Sequence, residues 1–100
     1  MKVQNILEQQ LADEIKAACK KSERYVGYKA KRPIELMYVY GPIETVKQLV
    51  SRSYINDAFV DLILAGKSKL TLEYIACKSK YRILFDEEVL KQAQIKLAYN

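Results

Sequence analysis

Gly66, Lys67 and Ser68 stand in the order that closes the phosphate-binding loop of many nucleotide hydrolases. That loop needs a second glycine five residues earlier, so that bare backbone N–H groups can reach the phosphate oxygens. The position holds Asp61, and residues 58–65 have the composition of a helix rather than of the strand that leads into such a loop. Gly66 therefore reads as a helix terminator. Asp57 and Asp61 lie one helical turn apart and would share a face, where paired carboxylates can hold a metal or trade a proton. No second acidic cluster accompanies them, and Asp57 suits the positive end of a helix, so the pair reads as a solvated face. Glu14 and Lys16 have the acid-x-lysine spacing of some metal-dependent nucleases. Those enzymes place the motif on a strand, whereas here it falls on a helical stripe.

The chain has no histidine, which removes the Ser-His-Asp and Cys-His nucleophile systems and the commonest general base. Cys19 and Cys77 have no CxxC neighbour, so a structural zinc site is not expected. They read as reduced, partly buried thiols. No catalytic residue, metal or cofactor is expected, and the chain reads as a non-enzyme.

Charge carries the remaining signal. The net charge is +5, and it is unevenly placed. Lys16, Lys20, Lys21, Arg24, Lys29, Lys31 and Arg32 are opposed within their own segment only by Glu23. Lys67, Lys69, Lys78, Lys80 and Arg82 are opposed only by Glu73. Tyr25, Tyr28, Tyr74 and Tyr81 are interleaved with these cations. Clustered cations attract a polyanion, and tyrosine can stack on bases or bond to phosphates. The plainer alternative is a solvated basic surface with its tyrosines half in the core.

The elements that must position these residues are helical. Val3, Ile6, Leu7, Leu11, Ile15 and Ala18 recur at 3.6 residues per turn, which predicts a helix over 3–22. Gly27 opens a basic loop, Pro33 suits the start of a second helix, and Gly41 with Pro42 separates that helix from a third. Asn56 and Asp57 suit the start of a fourth helix over 57–65, apolar nearly all round, which is expected at the centre of the fold. Thr71 and Asp86 are expected to cap a fifth and a sixth helix. The expectation is a single all-α domain, 1–100, of five to six short helices around the apolar one. One hundred residues suffice for one small core. Apolar runs such as 62–65 are far too short to cross a bilayer, and the first residues lack a secretory signal's hydrophobic block. A cytoplasmic protein is expected. A helix-turn-helix built from the fourth and fifth helices would need a shorter turn than 66–70 and more polar side chains on the reader.

Gly41 followed by ETVKQLV, then Phe59, then GKSKLTLEYIACKSKYRILF and DEEVLKQAQIKL, form a pattern whose most specific positions are Gly66, Leu70, Thr71, Glu73, Leu84, Phe85, Ala93 and Leu97. Over about 33–97 it resembles a short uncharacterised helical module of bacterial and phage proteins, sometimes found beside nuclease domains. It departs from that module at Ser68 and Lys69, where an apolar and an acidic residue are usual. The resemblance implies a helical fold and a phage or host-defence setting, and no catalytic residues. Two functions follow as expectations. One is a basic helical protein contacting a DNA or RNA backbone, or a complex bound to it. The other is a phage-encoded inhibitor or adaptor that meets an acidic protein surface of a host defence nuclease.

Overall fold

A computed structural model describes residues 3–27, 31–51 and 57–98. Asn56, Tyr28 and Lys29 lie outside these residues, as does the side chain of Asp57. Five α-helices are present and no strand occurs among the described residues: α1 (Val3–Val26), α2 (Lys31–Val50), α3 (Asp57–Leu64), α4 (Leu72–Ala76) and α5 (Glu87–Leu97). The all-α expectation holds.

Local chemistry sets most of the boundaries. Gly41, at φ 83° and ψ 170°, breaks α2 in a conformation open essentially to glycine. Pro42 then begins the second limb, where its missing N–H costs nothing. The α3 terminator is a Schellman motif: Gly66 N–H donates to Ile63 O at 3.0 Å and Lys67 N–H to Leu62 O at 2.8 Å. Gly66 itself has φ 73°. Thr71 Oγ1 accepts from Tyr74 N at 3.1 Å, and Asp86 Oδ1 accepts from Val89 N at 3.0 Å, so both expected caps are in place.

The core joins Leu11, Ile15 and Ala18 of α1 to Val46 and Val50 of α2, Ile75 and Ala76 of α4, and Val89 and Ala93 of α5. Tyr81 and Phe85, between α4 and α5, complete it. The expected central helix is not there. α3 lies on the flank, burying Phe59 and Leu62 but leaving Leu64 80% exposed. Hydrophobic composition alone does not place a short helix. Eight residues make little more than two turns, and the longer stripes of α1 and α5 claim the middle of the fold. Leu62→Ala is accordingly expected to cost about 2–5 kcal/mol. Leu64→Ala should stay within about 0.5 kcal/mol of the wild type, and urea unfolding distinguishes the two.

Candidate nucleic-acid interface

The cations of α1 point outward. Lys16, Lys20, Lys21 and Arg24 are exposed, and none is paired to a carboxylate among the described residues. Lys16, Lys20 and Arg24 recur every fourth residue, so a rise of 1.5 Å per residue spaces them about 6 Å apart along one side of the helix. Lys31 and Arg32 are exposed at the start of α2. Lys69 is exposed in the 3-10 turn Ser68–Leu70. Lys67, from the same connection, brings its ammonium 4.8 Å from the centre of the Tyr25 ring. The fold thus joins part of the second basic segment to the end of the first, and Tyr25 remains 46% exposed.

The other half of the second segment is turned inward electrostatically. Glu14 accepts a hydrogen bond from the Lys78 ammonium and one from Tyr81 Oη at 2.8 Å, with Lys80 Nζ 3.7 Å away. Lys78 and Lys80 therefore share a carboxylate, and of these three cations Arg82 alone is exposed without such a partner among the described residues. The ring of Tyr81 is fully buried, so it belongs to the core and cannot stack on a base. Burial pushes the Tyr81 hydroxyl's pKa up, and the Glu14 carboxylate adds to that shift. Tyr74 is half-buried on α4.

Burial works to raise the Glu14 pKa, but the bonds from Lys78 and Tyr81 and the charges of Lys78 and Lys80 together hold it below the ordinary 4.5. A carboxyl with a lowered folded pKa stabilises the fold above its unfolded pKa, and that contribution is lost as pH falls through the folded value. Stability should therefore decline below pH 4.5 partly on account of Glu14. Glu14→Gln is expected to flatten that decline, measured by thermal melts across the acid range. At neutral pH it should cost no more than about 1 kcal/mol, because the partners are partly solvated.

A second ion pair is buried. The side chains of Lys96 and Glu73 are each only 5% exposed and lie 3.5 Å apart. Lys96 Nζ also donates to Leu49 O at 3.3 Å, in the last turn of α2. One ammonium thus satisfies a helix-end carbonyl, sits at the negative end of α2 and ties α5 to α4. Burial raises the Glu73 pKa, and its backbone bond and Lys96 offset this only in part. Sequence patterns marked Glu14 only for its acid-x-lysine spacing and Glu73 as the lone acid of its segment, and neither ion pair was expected. The available signal was position: Lys96 lies seven residues after Val89 and three after Ala93, inside the apolar stripe, and Glu14 sits three residues after Leu11.

The other motifs acquire no chemistry from the fold. α4 spans only Leu72–Ala76, with Glu73, Ile75 and Ala76 buried, so it presents no reading face for base edges. Cys19 and Cys77 are free, and burial pushes the Cys19 thiol up to about 11, with Glu23 adding to the shift. Among the described residues no three His, Cys, Asp or Glu side chains gather as a metal site. No helix of the described residues is long and apolar enough to cross a membrane.

Fold and surface together define a small all-helical domain with an exposed cationic helix. Compared with protein families, curated proteins and solved structures, the chain finds no match.

Proposed function

We propose that this chain is a small, non-enzymatic helical protein that contacts the backbone of DNA or RNA through α1. The supporting observation is the outward row of Lys16, Lys20 and Arg24, with Lys21 beside it, exposed and without carboxylate partners among the described residues. Lys31, Arg32, Lys67 and Lys69 extend the surface, and the half-exposed Tyr25 offers one stacking face. Cations without a base-reading element position a protein on phosphates and carry little sequence preference. The test is fluorescence anisotropy with short single- and double-stranded oligonucleotides at several salt concentrations. Affinity should fall steeply with salt and vary little with sequence. Absence of binding at low salt would overturn the reading.

A second reading is favoured by a separate observation. The first limb of α2, residues 31–40, is apolar on most sides, yet none of its residues is fully buried. Tyr38 is 87% and Val39 71% exposed. Exposed apolar surface of this kind marks contacts with protein partners, which suits an inhibitor or adaptor in a phage or host-defence setting. Pull-downs from lysate with and without nuclease separate the two. A partner retained after nuclease treatment, and lost on Tyr38→Ser with Val39→Ser, supports the protein-partner reading.

A further inference from the structure

Glu14 occupies a position built for an anion. Two ammonium groups and a hydroxyl converge on its carboxylate: Lys78, Lys80 at 3.7 Å, and Tyr81 Oη at 2.8 Å. A phosphodiester oxygen asks for the same donors, since Lys, Arg and Tyr are the usual phosphate partners in nucleic-acid complexes. The site is also reachable. The side chains of Lys78 and Lys80 are 39% and 53% exposed, and that of Glu14 is 22% exposed. Tyr81 has no exposed surface, hydroxyl included, so the core fixes the direction of the hydroxyl and only displacement of Glu14 uncovers it. The rest of the second basic segment has no such occupant: Lys67 meets only the Tyr25 ring, and Lys69 and Arg82 are exposed without an ion pair among the described residues.

We infer that Lys78, Lys80 and Tyr81 form a second phosphate-binding site, and that the carboxylate of Glu14 fills it as an internal competitor. This rests on the backbone-binding reading above. In the resting protein the α1 row and the cations that extend it engage nucleic acid, and the second site does not. A phosphate enters the second site by displacing Glu14, so occupancy there exchanges one anion for another and adds little to affinity. A neutral side chain at position 14 removes the competitor and leaves the donors in place.

The test is a cycle of four proteins: wild type, Glu14→Gln, Lys78→Gln with Lys80→Gln, and all three changes together. Each is titrated against a short duplex at several salt concentrations. Each phosphate contact adds about 0.9 to the logarithmic salt slope. Glu14→Gln should steepen that slope by about 1.8, for two new contacts. Removing the two lysines should change the wild-type slope little, yet abolish the gain in the Glu14→Gln background. Glu44→Gln changes net charge equally at an exposed position and should leave the slope unaltered. If the wild type binds and Glu14→Gln keeps the same slope, the inference fails while the α1 reading stands. The inference also fails if Glu44→Gln steepens the slope as much, because net charge then explains the gain. If neither wild type nor Glu14→Gln binds at low salt, both fall. The lysine pair tested in the wild-type background supplies an answer even if Glu14→Gln disturbs the fold: a loss of slope there would show that no competitor is present.

Discussion

Lys96→Met is expected to destabilise the protein by about 3–5 kcal/mol, a large share of what holds a domain of this size together. The substitution keeps apolar volume but strands the Glu73 carboxylate in an environment where its side chain is 5% exposed. It also deprives Leu49 O of its 3.3 Å donor at the end of α2. Removing one member of a buried pair costs more than the pair contributes, because the survivor keeps its desolvation penalty. Changing both partners, Glu73→Leu with Lys96→Met, should therefore recover most of the loss. A pH series gives an independent check. Burial already raises the folded pKa of Glu73, and without Lys96 it rises further. The orphaned carboxyl is neutral at low pH, and its penalty returns as pH climbs from the unfolded value of 4.5 through the raised folded one. The deficit of Lys96→Met in urea unfolding should thus widen from acid to neutral pH. A small, pH-independent deficit would show that the pair is solvated.

The second large effect concerns binding. Reversing Lys20, Lys21 and Arg24 to glutamate should lower the logarithmic salt slope on duplex by about 2.7, at about 0.9 per lost contact. It should also abolish detectable binding at moderate salt. Lys91→Glu, exposed on α5 and remote in sequence from both basic segments, should alter binding far less. Lys96 cannot serve as that control, since its reversal would place two carboxylates against each other in the interior. An unchanged slope in the triple variant would remove α1 from the interface.

What the sequence disclosed and what it withheld divide along range of interaction. Thr71, Asp86, Gly66 and the break at Gly41 act on neighbours within a turn or two, so residue type and spacing were enough to find them. Part of the outward row on α1 was legible for the same reason, because helical period sorts Lys16 and Lys20 away from Leu11 and Ile15. Arg24 lies past the expected end of the helix at residue 22 and joins the row because α1 runs on to Val26. The bond between Lys78 and Glu14 spans 64 positions, and no local pattern announces it. That contact divides the second basic segment into free and occupied cations, which a count of charges treats as equal. The flank position of α3 failed differently. Its apolar residues are real, but which helix wins the centre depends on how longer stripes pack against one another, and composition within one segment is silent on that.

The core described above has a consequence for the order in which the protein is made. Leu11 and Ile15 leave the ribosome well before Val89 and Ala93, which share their cluster. During synthesis α1 can meet α2 first, but the shared cluster stays open to chaperones and to other chains until α4 and α5 emerge. No leading portion of the sequence holds a finished core, so there is no foldable half on which a second half could condense. The largest helix contacts join sequence neighbours, α1 with α2 and α4 with α5, which favours rapid assembly, while α2 meeting α4 and α5 supplies the more distant, slower pairings. The domain is therefore expected to stay unfinished until α5 has emerged.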